Sequence, residues 1–121
     1  MHDIILVTGN VKYKITLDPT IWIFDDRRFT LEERIEGANG LAMEIEPFIL
    51  NAQPLENTDK ALIHLRNGEI VELSLADLLS SFLCFAIEDK PIKEGGPALL
   101  YLADGSNREN PIRSIKEIEL V

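Results

Sequence analysis

Asp25-Asp26-Arg27-Arg28 sets two carboxylates and two guanidiniums at the end of an apolar run, Ile21-Trp22-Ile23-Phe24, that holds the only tryptophan of the chain. Such a group can hold a ligand through charge-assisted hydrogen bonds at the end of a strand. It can equally be the charged exit of a buried strand, with Asp accepting turn conformations and Arg stems covering Trp22 or Phe29. A second polar stretch, Asp104-Gly105-Ser106-Asn107-Arg108-Glu109-Asn110-Pro111, precedes Arg113. It is long for a hairpin connection, and long polar loops on a rigid scaffold often carry function. Its structural alternative is a cluster of Asx turns with Arg108 bridging to a carboxylate. Asp25, Asp26, Arg27, Arg28, Ser106, Asn107, Arg108 and Arg113 are therefore the candidate ligand or partner surface. One geometric expectation joins them: Asp25 or Asp26 pairs with Arg108 or Arg113 across a gap between the two loops.

The other reactive side chains point away from catalysis. Cys84 is the sole thiol and sits in Phe82-Leu83-Cys84-Phe85-Ala86, with no adjacent base to lower its pKa. It reads as a small buried core residue. His64 lies mid-strand between Ile63 and Leu65, and His2 lies at the start of the chain. Neither has a cysteine or carboxylate at metal-ligand spacing. Glu44 and Glu46 would share a face only on a strand, and read as part of a solvated acidic surface. No phosphate-binding, dinucleotide or nucleophile-elbow motif is present. The sequence thus offers no catalytic residue, no metal ligand set and no cofactor.

Composition narrows the partners. The 121 residues fit a single domain, 1–121, and 45% hydrophobic with 27% charged residues is a globular balance. A net charge of −9 repels phosphate backbones and anionic membranes, so neither nucleic acid nor membrane is an expected partner. No apolar run approaches a bilayer span. Met1-His2-Asp3 lacks the basic start of a signal peptide, and one cysteine allows no internal disulfide. The expected location is the cytoplasm.

The elements that must position these residues are mostly strands. Ile4 to Thr8 is short and apolar, Val11 to Leu17 alternates, and Asp18-Pro19 breaks the pattern. Ile21 to Phe24 reads as a short strand buried on both faces. Thr30 with Glu33 and Ser74 with Asp77 have capping-box spacing, the second opening a helix over Leu75 to Ser81. Pro47 can open a short helix from Phe48 to Ala52. Ala61 to Leu65 and Glu69 to Leu73 flank Arg66-Asn67-Gly68, a strong hairpin signal. Phe82 to Ile87, Ala98 to Leu102 and Ile115 to Val121 are further strands. Ala98 to Leu102, apolar on both faces, is expected centrally with Ile21 to Phe24 as a near neighbour. The fold class is α+β, with a mostly antiparallel or mixed sheet and two or three short helices.

The stretch "NGEIVELSLADLL…AIEDKPIKEGGPALLYL…IKEIELV" resembles the molybdopterin-binding domain of the sulfite oxidase family. That family has a strand, a D-G turn, a second strand and a short helix. An "ALDGEPLP" hairpin, H-G-G-P before a hydrophobic residue, and a strand ending "IEL" follow. Gly40-Leu41-Ala42-Met43 is similar to the family's "GVPL", and "VTGNVKYKITLD" more weakly to its opening. In those enzymes a cysteine upstream of "GVPL" ligates molybdenum; Asp25 to Asn39 contains none. Arg113 falls where the family has the lysine of "SVKWL", with Pro111 in place of its serine. The resemblance implies the scaffold without its metal centre. The chain is also similar to short Firmicutes proteins that share "ITLDP…WIFDDR" and "DGSNR.NPI", some of which carry a peptidyl-prolyl isomerase label. The expected function is a non-catalytic module binding a protein or small-molecule partner. The alternative is a small isomerase or hydrolase with its site at the 25–28 and 106–113 loops.

Overall fold

A computed structural model describes residues 3–121; His2 lies outside them. Among the described residues, ten strands form two sheets. The first has β1 (Ile5–Gly9), β2 (Ile15–Leu17), β5 (Lys60–Leu65), β6 (Ile70–Ser74) and β10 (Ile115–Leu120), in the order β2-β1-β10-β5-β6. β1 and β10 run parallel and the other pairs antiparallel, so this sheet is mixed. The second is antiparallel: β3 (Phe29–Thr30), β4 (Leu41–Glu44), β7 (Phe82–Ile87) and β8 (Lys90–Pro91) follow in that order, and β9 (Leu99–Tyr101) also pairs with β7. Two short helices, α1 (Glu46–Asn51) and α2 (Leu75–Leu79), complete an α+β fold.

Period-2 alternation assigns the faces. Ala61, Ile63 and Leu65 of β5 and Ile118 and Leu120 of β10 point into the main core. β7 is buried from Phe82 to Ala86 because it has apolar neighbours on both sides. Leu83 and Phe85 enter the main core, while Phe82 and Cys84 enter a second cluster with Leu31, Ile35, Ala42, Leu99 and Tyr101.

The hairpin signal is realised at Leu65–Glu69. The Gly68 N–H donates to the Leu65 carbonyl, and the Asn67 side-chain oxygen accepts from the Glu69 N–H at 2.9 Å. Only Gly68 takes positive φ (95°), so this is a three-residue loop rather than the turn in which both Asn and Gly do. Ser74 caps α2 by accepting from the Asp77 N–H at 3.0 Å, and the Glu33 carboxylate accepts from the Thr30 N–H at 3.0 Å.

Three expectations are corrected. Ile21 to Phe24 is not a buried strand: Pro19–Phe24 is a 3₁₀ helix, with Pro at its start and the Asp18 carboxylate accepting from the Thr20 N–H at 3.1 Å. Its threefold repeat buries Pro19 and Trp22 only, leaving Ile21 58% and Phe24 83% exposed. Ala98 to Leu102 is not central: β9 has β7 on one side and a single bridge to Ile112 on the other. β7 is the central strand. Finally, β2 keeps only the end of the Val11–Leu17 alternation, because the Lys12 and Tyr13 N–H groups donate instead to the Gln53 and Ala52 carbonyls.

Candidate functional site

The 25–28 turn closes on itself. Asp25 accepts from Arg27 three times, from the backbone N–H (2.8 Å), Nε (3.0 Å) and Nη2 (2.7 Å). Arg28 Nη1 donates to the Asp25 carbonyl at 2.8 Å. The Arg27 guanidinium lies 5.1 Å from the ring centroid of Phe48, which stacks on Trp22 at 4.9 Å. The Arg27 side-chain hydrogen bonds, with its backbone N–H, hold the Asp25 carboxyl down at about 2, against an ordinary 3.8. An acid with a depressed folded pKa stabilises above its unfolded value, and that contribution disappears as pH falls from about 3.8 towards 2. Arg27→Gln should therefore return the Asp25 titration midpoint towards 3.8 in a carboxylate NMR titration. An unchanged midpoint would show that the pair does not set it.

The second loop is held by its own turns and by Arg108 reaching back to the 31–36 segment. Asn107 clamps the chain around β9: its side-chain oxygen accepts from the Leu102 N–H at 2.9 Å and its amide donates to the Leu100 carbonyl at 3.1 Å. Asp104 accepts from the Ser106 N–H at 2.9 Å, and its hydrogen bonds with Ser106 lower its pKa. Arg108 Nη1 donates to the Glu36 carbonyl at 2.8 Å, and Nε lies 3.6 Å from the Glu109 carboxylate. Arg113 packs along Gly95.

The expected cross-loop pair is therefore corrected. Among the described residues, no ion pair joins Asp25 or Asp26 to Arg108 or Arg113. Asp25 has its counter-ion two residues away, where an Asx-type turn supplies it at little entropic cost. The 103–108 loop faces a different segment, across a cleft of about 380 Å³ lined by Arg34, Ile35, Glu36, Ala103, Asp104, Gly105 and Arg108.

The remaining candidates have structural partners. Cys84 is fully buried, and its Sγ donates weakly to the Ala86 carbonyl at 3.6 Å. Burial pushes its pKa up to about 11, so the thiolate is scarce at neutral pH. Cys84 should react with a disulfide thiol reagent at pH 8 only as fast as the protein unfolds, and fast reaction of the native protein would contradict its burial. His64 Nε2 lies 2.9 Å from Glu119 Oε1 on the outer face of the first sheet. Glu44 pairs with Arg34 Nη2 at 3.0 Å, and the Arg34 guanidinium stands 4.3 Å from the Phe29 ring centroid. Glu46 is in the first turn of α1. Among the described residues, no group of three or more His, Cys, Asp or Glu is placed to hold a metal.

A concavity with a largely apolar lining lies elsewhere, and sequence reading missed it. A cleft of about 110 Å³ is walled by Pro19, Thr20 and Ile23 of the 3₁₀ helix, Phe85 and Ala86 of β7, and Pro91, Ile92 and Pro97. Asp3 and Asp89 are its charged lining residues. The 3₁₀ repeat sorts the helix: Trp22 enters the core, Pro19, Thr20 and Ile23 line the cleft, and Ile21 and Phe24 meet solvent. The available signal was Asp18-Pro19, a helix-opening pair that indicates period three for the apolar run after it.

No helix among the described residues is long and apolar enough to cross a membrane. Neither a scan against protein-family models nor a search of curated proteins finds a match to the chain.

Proposed function

We propose that this protein is a non-catalytic interaction module of the cytoplasm. Its scaffold resembles the molybdopterin domain of the sulfite oxidase family without that family's chemistry. The observation that carries the reading is the Pro19–Phe24 helix, which exposes Ile21 and Phe24 beside an apolar cleft. Phe24 is the most exposed large apolar side chain among the described residues, and with Ile21 and the adjoining cleft it makes a contiguous apolar surface of the kind that meets a partner. Asp25, Arg27, Arg28, Asp104, Asn107, Arg108 and His64 are each engaged in holding turns or strands together. The donor set also does not fit the family's cofactor. A molybdenum-ligating thiolate must face the pterin, whereas the sole thiol here is fully buried in β7, with its pKa raised to about 11.

The test has two arms. A photo-crosslinking residue at position 24 should give discrete adducts in cells that Ile21→Asp abolishes and Cys84→Ala leaves intact. The same residue at position 67, on the β5–β6 hairpin, should give none. In the second arm, prolyl peptides, esters and phosphoesters should turn over no faster than in buffer, and elemental analysis should find no stoichiometric molybdenum. Turnover that Asp25→Asn or Arg108→Ala removes would overturn the module reading in favour of an enzyme at the two loops.

A further inference from the structure

We propose that the cleft between the Pro19–Phe24 helix and the β7–β8 turn takes a lysine side chain from a basic segment of a protein partner. The alkyl stem would lie against Ile23, Phe85 and Ile92, and the ammonium against the carboxylates of Asp89 and Asp3. The proposal rests on the interaction-module reading and specifies what the module recognises.

Size and charge select this occupant. The cleft measures about 110 Å³, less than the roughly 150 Å³ cavity that accepts a benzene ring, so a slender chain suits it better than a planar one. Its walls are apolar over most of their area, and its only charged lining groups are acids. Among the described residues, neither Asp3 nor Asp89 has an ion-pair partner. An anion would be repelled by both, in a chain whose net charge is already −9. A neutral apolar group would fill the walls but strip water from the carboxylates without replacing it. A lysine does both, since its four-carbon stem lies along apolar surface while its ammonium seeks an acid.

The β7–β8 turn is what brings Asp89 to the cleft. Glu88 (φ 53°) and Asp89 (φ 62°) are the two central residues of the β7–β8 hairpin turn, both left-handed. Asn-Gly satisfies such a turn with least strain. Asp89 takes the left-handed conformation that Asp, like Asn, tolerates, and it lines the cleft.

The experiment uses the full-length ¹⁵N-labelled protein and the capped peptide acetyl-Gly-Gly-Lys-Gly-Gly-amide. Versions with norleucine and with acetyl-lysine in place of lysine serve as controls. The lysine peptide should shift the amide signals of Thr20, Ile23, Ala86 and Ile92, and both controls should bind at least about tenfold more weakly. Asp89→Asn should weaken the lysine peptide by about threefold to tenfold, the scale of one partly shielded ion pair, and leave norleucine unaffected. Asn accepts positive φ, so this variant keeps the turn. Asp3→Asn combined with Asp89→Asn should abolish the preference for lysine. The inference is overturned if norleucine binds as well as lysine, or if no peptide moves these signals. Either result leaves the module reading standing when the crosslinks at position 24 persist. Loss of those crosslinks, with lysine binding intact, would instead overturn the module reading.

Discussion

Replacing Trp22 by alanine should destabilise the protein by about 3–5 kcal/mol, the range for truncating a large buried aromatic. Trp22 is 3% exposed, stacks on Phe48 at 4.9 Å and meets Phe85 edge-on at 5.8 Å. It is the main side chain anchoring the Pro19–Phe24 helix, at whose two ends the Ile21 N–H donates to the Asp18 carbonyl and the Asp25 N–H to the Trp22 carbonyl. The loss is large against a total stability of about 5–15 kcal/mol. Urea denaturation followed by circular dichroism should show a lower midpoint with an unchanged slope. Trp22→Phe should recover most of the loss, because a ring still fills the space between Phe48 and Phe85. Phe24→Ala, only two residues away but 83% exposed, should change stability by less than about 0.5 kcal/mol while abolishing partner contact. A Trp22→Ala cost below about 1 kcal/mol would mean that the helix does not depend on this anchor.

That contrast between neighbours shows where the sequence was legible. Strands whose period and turn chemistry agree, such as β5 and β6 around Arg66-Asn67-Gly68, can be read directly, as can the burial of Cys84 in an unbroken apolar run. The self-satisfied turns at Asp25 and Asp104 were one of two readings that residue types allow. Choosing between them needed coordinates, because a guanidinium two residues away and one eighty residues away look equally available on paper. Ile21-Trp22-Ile23-Phe24 misled because four apolar residues fit a buried strand and one face of a tight helix equally well. Strands β3 and β4 carry too few residues to show a period. The acid-lined cleft was invisible because its walls come from separate stretches, around Asp3, Pro19–Ile23, Phe85–Ile92 and Pro97, that only the fold brings together.

Gly40→Ala should destabilise the protein by about 2–4 kcal/mol, the scale of forced overpacking combined with a disfavoured backbone. Gly40 precedes β4, with φ of 115°, a conformation open to glycine and strained for any residue with a Cβ. A Cβ built there would stand 2.6 Å from the Ala86 carbonyl oxygen and 2.6 Å from Cys84 Sγ. The Gly40 carbonyl also accepts from the Leu31 N–H at 2.8 Å, so the chain cannot swing outward without releasing the 3₁₀ turn Leu31–Glu33 that covers the second cluster. The two obstacles differ in kind, and a double substitution separates them. Cys84→Ala alone should cost about 1 kcal/mol, as for the loss of one small buried group. In the Gly40→Ala/Cys84→Ala protein the sulfur is gone but the Ala86 carbonyl and the positive φ remain. The pair should therefore be more stable than the sum of the single losses by about 1 kcal/mol, a coupling typical of residues in contact, yet still well below the parent. Full recovery would show the sulfur to be the whole obstacle and the backbone free to adapt. Strict additivity would show that the alanine Cβ never reaches Cys84, and that Gly40 is required for its conformation alone.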